Sequence, residues 1–433
     1  MNTSSVPVVP HTAAPSQPAS APPAVVVDSG GVTGMVSSIT ADPAANSVFS
    51  RLLPPRQAHH LPVEFTGSGS EYFRIWIVNL LLTLVTLGLY YPWAKVRKLR
   101  YFYGNTWLGG HSLDFHGEPK KMLRGTVLAG ALFFVYARAS EFSAVAALVA
   151  AVALAALWPL LLRGALQFRL GHTSWRGLRL AFAGSTADAY KALMIPLLLF
   201  LLPTALVAAN GEEREAALLD GAGLLRAMGA VWLLFAVGLP YFHWRLKKYQ
   251  HDHLRLGQLQ TELRLGPRPV YGVYLRTLLL LLALPAVFGL VAWWWASGRQ
   301  GALSQQWIIA LLVFGWALFV FGGLYLYMVV VPYFTVAMQN LVWTKTGNRY
   351  LRFRSELRLG RYLGLQLKNW LLVLVTLGLY WPWAAVATRR LRLESVTLVS
   401  RVDLDDLVAA LQQRRGDAAA DMADDLLGLD IGL

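Results

Sequence analysis

The chain has 433 residues, 56% hydrophobic and 15% charged, with a formal net charge of +15 and no cysteine. A soluble domain carries nearer a quarter charged residues, so the composition marks a membrane protein rather than a string of soluble domains. The missing cysteines exclude disulfides, thiol catalysis and cysteine-ligated metal centres, and no basic soluble stretch is present to carry nucleic-acid binding.

In chain order, residues 1–58 come first, rich in Pro, Ala, Ser and Val, with prolines such as Pro7, Pro10, Pro22 and Pro23. They predict a disordered tail, and without a basic n-region before an apolar core they do not read as a signal peptide. Residues 59–400 predict a repeat-built transmembrane domain, and residues 401–433 an acidic, amphipathic tail. Eight apolar segments lie between the tails, at about 75–91, 123–137, 142–162, 189–209, 224–244, 271–295, 307–331 and 363–380. Most reach the roughly 20 residues that cross a bilayer as a helix.

The connectors alternate in character. Residues 95–124 carry Lys95, Arg97, Lys98, Arg100, Lys120, Lys121 and Arg124, and the stretches near 163–191, 245–276 and 345–368 are also basic. The intervening connectors are neutral or acidic, as in GEEREAALLD at 211–220. The positive-inside rule places the basic connectors in the cytoplasm, against anionic lipid headgroups.

An internal repeat organises the chain. LVTLGLYYPWA at 84–94 returns as LVTLGLYWPWA at 374–384, with Asn79 and Asn369 at the same place upstream. Pro92, Pro159, Pro240, Pro332 and Pro382 each end an apolar run and introduce a basic, aromatic stretch, read as interfacial anchoring. Short alternating segments with glycine follow: WLGGHSLDFHG, WRGLRLAFAG, LGQLQTELRLG and YLRFRSELRLG. They predict a small β-hairpin in each basic connector, and VEFTGSG at 63–69 looks like half of such a module. The expected fold is therefore an all-α polytopic membrane protein with internal repeats and small β-hairpin-like modules in its cytoplasmic connectors.

The first and last apolar segments are too short for the double crossing that the other intervals allow. Either the chain makes eight crossings with external termini, or it makes six with two re-entrant segments and cytoplasmic termini. The second arrangement is favoured, and cysteines introduced near Ser5 and Ser400 would decide it.

The segment EYFRIWIVNLLLTLVTLGLYYPWAKVRKLRYFYGNTWLGG at 71–110 resembles the signature of the YjgN-like family of bacterial inner-membrane proteins. The resemblance runs from Phe65 to about Ser400 and implies a multi-pass protein of the bacterial inner membrane with no established activity. It supplies no catalytic residue.

No motif for a catalytic, cofactor or metal site is present. His251-Asp252-His253 lacks a third ligand at suitable spacing, and no phosphate loop, HExxH or GxSxG occurs. The residues expected to line a polar path or act as hinges are Asn79, Thr86, Gly88, Pro92 and Trp93, with Asn369, Thr376, Gly378, Pro382 and Trp383 in the second copy. Bridging of helices within the fold is the competing expectation for the two asparagines. The function expected is transporter- or channel-like, the alternative a structural, lipid-associated scaffold; the partners are membrane lipids, with no cofactor and no nucleic acid.

Overall fold

The computed structural model describes residues 58–139, 141–218, 221–297 and 305–413. The predicted N-terminal tail to residue 57, parts of three non-basic connectors, and the C-terminal tail beyond residue 413 lie outside the described residues.

Each predicted connector hairpin forms, and for local reasons. The turn Gly109–Gly110 joins β2 (Thr106–Leu108) to β3 (His111–Phe115), and Arg176–Gly177 joins β4 (Thr173–Trp175) to β5 (Leu178–Phe182). Both turn residues have positive φ in each case, the geometry of a tight hairpin turn whose twist matches its strands. The third hairpin runs from β6 (Leu254–Leu256) through β7 (Leu259–Gln260) to β8 (Glu262–Leu263), and the fourth joins β9 (Thr346–Gly347) to β10 (Leu351–Ser355). The fifth is assembled from the two ends of the sequence: β11 (Val396–Ser400) pairs antiparallel with β1 (His59–Phe65), Ser400 opposite His59 and Thr397 opposite Pro62.

These hairpins do not stand alone, and here the all-α expectation fails. Val63–Phe65 pair with β2, Leu113–Phe115 with β4, Leu180–Phe182 with β6, β8 with β9, and β10 with β11. The result is one antiparallel sheet of eleven strands. Its two terminal strands in pairing order, β7 and β8, are separated in sequence by Thr261 alone, so the chain itself closes the ring. The physical reason is edge pairing. A hairpin of three-residue strands exposes two unpaired edges, and docking edge to edge around a circle satisfies all of them. Local alternation reveals a hairpin; it does not reveal which other hairpin covers its edge.

Helical hairpins rise from this ring. The first joins α1 (Gly69–Val85) to α2 (Tyr91–Gly104), between β1 and β2. The second joins α3 (Pro119–Ala139) to α4 (Ala144–Gly171), and the third joins α5 (Thr186–Leu218) to α6 (Gly221–Asp252). The fourth joins α7 (Pro267–Ser297) to α8 (Gln305–Tyr325), which continues through a π-helical turn at Leu326–Val330 into α9 (Val331–Thr344). The fifth joins α10 (Leu359–Val375) to α11 (Trp381–Glu394). Among the described residues, four stretches are long and apolar enough to cross a membrane: Pro119–Ala139, Ala144–Gly171, Pro267–Trp294 and Leu312–Thr344.

The five inner helices share one frame. Thr106 follows Pro92 by 14 residues, and the same interval separates Pro159 from Thr173, Pro240 from Leu254, Pro332 from Thr346 and Pro382 from Val396. All five prolines are buried. Pro92 and Pro382 stand at the first or second helical position, where the missing N–H costs nothing, and Pro332 follows directly on the π-helical turn that joins α8 to α9.

A last helix, α12, begins at residue 404 and is described to residue 413. Leu407, Val408 and Leu411 are buried among Trp175, Leu178, Leu259, Leu351 and Leu398, with Leu61, Leu108, Leu113 and Leu256 packed around them. Every one of the five hairpins contributes to this core, so α12 stops the ring at its centre.

Candidate functional site

The ring is held by hydrogen bonds between its turns and its inner helices. After each hairpin the chain turns sharply, and the carbonyl two residues past its second strand accepts a hydrogen bond from an inner helix. Arg390 Nη2 donates to Gly67 O at 2.8 Å, Arg100 Nη2 to Gly117 O at 3.2 Å and Arg163 Nε to Gly184 O at 2.9 Å. Trp244 Nε1 reaches Leu265 O at 2.6 Å and Asn340 Nδ2 reaches Leu357 O at 2.9 Å. Part of the predicted basic, aromatic stretch is thus spent on clamping turns rather than on the membrane interface.

Volume is exchanged across the same turns. Where the second strand ends in Phe65, Phe115 or Phe182, the turn residue is Gly67, Gly117 or Gly184, and a Cβ there would meet the ring at 2.7, 2.4 or 2.5 Å. Where it ends in Leu263 or Ser355, the equivalent residues are the buried Leu265 and Leu357.

Other side chains of the inner helices turn toward the axis. Around the ring these helices follow the order α2, α4, α6, α9, α11, so α11 and α4 are not neighbours, and neither are α11 and α6. Yet the charges of Arg392 on α11 and Arg169 on α4 both act on Lys247 of α6 and on Arg389 of α11. Arg392 thus acts on Lys247, and Arg169 on Arg389, between helices that are not adjacent in the ring. Burial, and then these two arginines, holds the Lys247 ammonium below the usual lysine range. Burial is likewise the first cause that lowers the affinity of Arg389 for its proton. Arg169, Arg389 and Arg392 are nevertheless exposed.

Neutral groups fix the cluster. Gln339, on α9, donates through Nε2 to Arg392 O at 3.0 Å and to Ser395 Oγ at 3.1 Å, while its Oε1 accepts from Arg392 Nε at 2.7 Å. Lys247 Nζ donates to Gln250 Oε1 at 3.3 Å. The Arg389 guanidinium lies 5.7 Å from the centre of the Phe102 ring on α2. All five inner helices therefore line or brace one basic centre, a turn or two above the sheet.

The residues predicted as a polar path sit elsewhere, at the tips of the first and last helical hairpins. Asn79 Nδ2 donates to Ala94 O at 3.5 Å, and Asn369 Nδ2 to Ala384 O at 3.4 Å and Thr388 Oγ1 at 3.2 Å. Each asparagine bridges the two helices of its own hairpin, and its Oδ1 is buried with no hydrogen-bond partner. Thr86 Oγ1 donates to Leu82 O and accepts from Tyr90 N; Thr376 does the same with Leu372 O and Tyr380 N. The predicted hinge glycines are helix stops: the Gly88 N–H bonds Thr83 O and the Leu87 N–H bonds Leu84 O, the paired pattern of a Schellman cap, repeated at Gly378 and Leu377. Trp93 stacks on Tyr90. Trp383 stacks on Tyr380 and, at 4.9 Å, on Phe73 of α1, joining the last hairpin to the first.

His251, Asp252 and His253 point to separate partners. His251 Nδ1 meets Thr346 Oγ1 at 3.1 Å, Asp252 Oδ1 accepts from Leu263 N at 2.7 Å, and His253 Nδ1 faces Tyr249 O at 2.9 Å.

The axial cations were not among the residues singled out by sequence. The signal that could have found them is the constant interval from proline to strand, which fixes the helical register.

Residues 60–426 match the family model described as bacterial protein of unknown function (DUF898). The inner membrane protein YjgN of Escherichia coli K12 is 40% identical over 72 residues, 17% of each chain. The YjgN of Escherichia coli O157:H7 is 31% identical over 163 residues, 34% of this chain and 40% of that one. The YjgN of Salmonella typhimurium is 28% identical over 160 residues, 35% of this chain and 39% of that one. The matched segments thus span well under half the length of these relatives. No solved structure matches.

Proposed function

This chain belongs to the YjgN-like family of bacterial proteins of unknown function (DUF898), and from that premise we propose that it is a channel- or transporter-like protein rather than an enzyme. It is a multi-pass protein of the inner membrane, as its relatives are named and as its long apolar helices require. The observation that carries the reading is a closed ring of hairpins whose inner helices α4, α6 and α11 bear Arg169, Lys247, Arg389 and Arg392 with no carboxylate at salt-bridge distance among the described residues. A bundle built only to anchor or scaffold has little use for uncompensated charge on its inner helices.

The ring and its basic connectors face the cytoplasm in this reading, with anionic headgroups against the outer basic side chains. The first and last helical hairpins re-enter the membrane. Each starts and ends at the sheet, and 17 helical residues reach only about 26 Å at 1.5 Å per residue. Their tips expose large apolar side chains: Val85 is 79%, Leu87 95% and Leu377 93% exposed. Such surface belongs in lipid.

The absence of native cysteine makes the test direct. Arg392→Cys, at an exposed position of the basic centre, is expected to react with a small hydrophilic thiol reagent in the native protein, and the wild-type chain in proteoliposomes to pass a small charged solute. A cysteine at Leu87 is expected to resist the reagent from both sides. A dry centre with no solute flux would sink the reading and favour the lipid-associated scaffold; labelling of a Ser5→Cys variant from outside the cell would sink the topology.

A further inference from the structure

A sheet that closes on itself encloses an interior whose width grows with the number of its strands. About eight strands leave a space that their own side chains fill, and eleven are wide enough to take a helix. The ring has eleven strands, and all but β1 are only two to five residues long. Such a shallow hoop has few inward side chains with which to close itself. The element at its centre is α12, whose Leu407, Val408 and Leu411 are buried among leucines of all five hairpins and Trp175. Seated there, α12 closes the hoop; lifted out, it would leave an opening lined by those apolar residues.

The way α12 is held suits removal. Arg401 N donates to Tyr350 O at 2.9 Å and Ser400 Oγ to Val402 O at 2.6 Å, so the chain is fixed to the ring as far as Val402. The helix then starts on its own cap: Asp403 Oδ1 accepts from Asp405 N at 2.8 Å and Asp406 N at 3.4 Å. It can therefore swing about Asp403 without losing its first turn. Both of its ends are tied to one residue of the β4–β5 turn: Arg176 Nη2 donates to Asp405 Oδ1, and Gln412 Nε2 donates to Arg176 O at 3.0 Å. The Arg176 guanidinium lies 5.8 Å from the centre of the Trp175 ring, while the Asp405 side chain is 79% exposed. An ion pair open to water on one side is a weak latch, and salt weakens it further.

We propose that α12 is a releasable stopper of the ring, held shut by the Arg176–Asp405 latch, so that the protein is closed until the helix swings away from its seat. The proposal rests on the channel-like reading and adds what shuts the passage. The apolar seat keeps the closed state dominant, and the latch sets how often it opens.

Release is measured apart from transport, with the full chain in detergent. Val408→Cys, in the seat, and Val386→Cys, in the core of the last helical hairpin, are both buried positions in a chain without native cysteine. A hydrophilic thiol reagent is expected to label Val408→Cys faster than Val386→Cys. Adding Asp405→Asn is expected to quicken the first about two- to fivefold and leave the second unchanged. Transport is then tested with a lock. A Cβ on Gly257 would stand 3.8 Å from Leu411 Cβ, the spacing of a disulfide. The Gly257→Cys/Leu411→Cys protein in proteoliposomes is expected to pass a small charged solute when reduced and to fall to the level of empty liposomes when oxidised. A chain ending after Val402 is expected to exceed the wild type. Labelling of Val408→Cys no faster than Val386→Cys, or untouched by Asp405→Asn, makes α12 a fixed part of the fold and overturns the proposal. So does a disulfide that does not form, or equal flux in the oxidised and reduced forms. Absence of flux in every form, the shortened chain included, removes the channel reading instead, and the labelling pair alone then decides whether α12 is released.

Discussion

His251 shows how a residue picked out for one chemistry serves another. It is buried against Trp343, with ring centres 5.4 Å apart, and bonds Thr346 of the neighbouring unit. Burial, and then the charge of Lys247, pushes its pKa down to about 4 from an ordinary 6.5. The neutral ring is therefore the folded form. The stability it supports is complete above pH 6.5 and is lost as pH falls toward 4, because the unfolded chain takes up a proton that the folded one refuses. Two and a half pH units correspond to roughly 3 kcal/mol. The thermal midpoint of the wild-type protein is expected to drop through this window, and that of His251→Gln to drop less; an identical pH profile in both would refute the assignment. At this scale the sequence was legible in part. Asn79 and Asn369 stand out as amides in apolar runs, and their helix-bridging was one of the two readings open. Arg389 and Lys247 look like any other Lys or Arg beside an apolar run until the ring turns them inward.

Elements were legible where their signals are local. Alternation beside glycine gave the connector hairpins, and the two copies of LVTLGLY gave the broken helical hairpins. Their caps place Leu87 and Leu377 at φ +48 and +50, where glycine is the usual occupant and a branched side chain costs about 1–2 kcal/mol. Leucine at an exposed, left-handed position makes sense where the surroundings are lipid and a glycine would forfeit apolar contact. The tail reads in sequence only as acidic and amphipathic; its described part, residues 404–413, is a helix seated on apolar residues from five separate connectors, a seat that no local pattern reveals. Leu407 has no exposed surface at the middle of that seat. Leu407→Ala is expected to cost about 2–5 kcal/mol, seen as a lower thermal midpoint. It should also free α12 for proteolysis while the helical hairpins stay protected. An unchanged midpoint would mean that the helix rests on the ring without holding it.

The strands among the described residues form a circle closed by the pairing of β1 with β11, and this is what local pattern could not reveal. The sequence shows VEFTGSG as half of a module; the other half, VTLVS, lies more than 300 residues away. Closure also explains why Arg390 reaches the Gly67 carbonyl and why Gly69 must lack a side chain, since a Cβ there would stand 2.1 Å from Trp383 Cδ1. Two truncations separate the roles of the closing strand and the stopper. Ending the chain after Val402 removes α12 and leaves all eleven strands, so the ring is expected to persist with its centre uncovered. Ending it after Ser395 removes β11 as well, and both β1 and β10 then lose their partner. Free edges of this kind pair with other copies. The longer chain should run as one discrete species in gel filtration, and the shorter one as aggregates or as mixed oligomers. Equal behaviour of the two would show that β11 is not what closes the circle. A ring that fails only when its last strand is lost is one whose end strands are structural, and the basic centre inside it then depends on residues that never approach the axis.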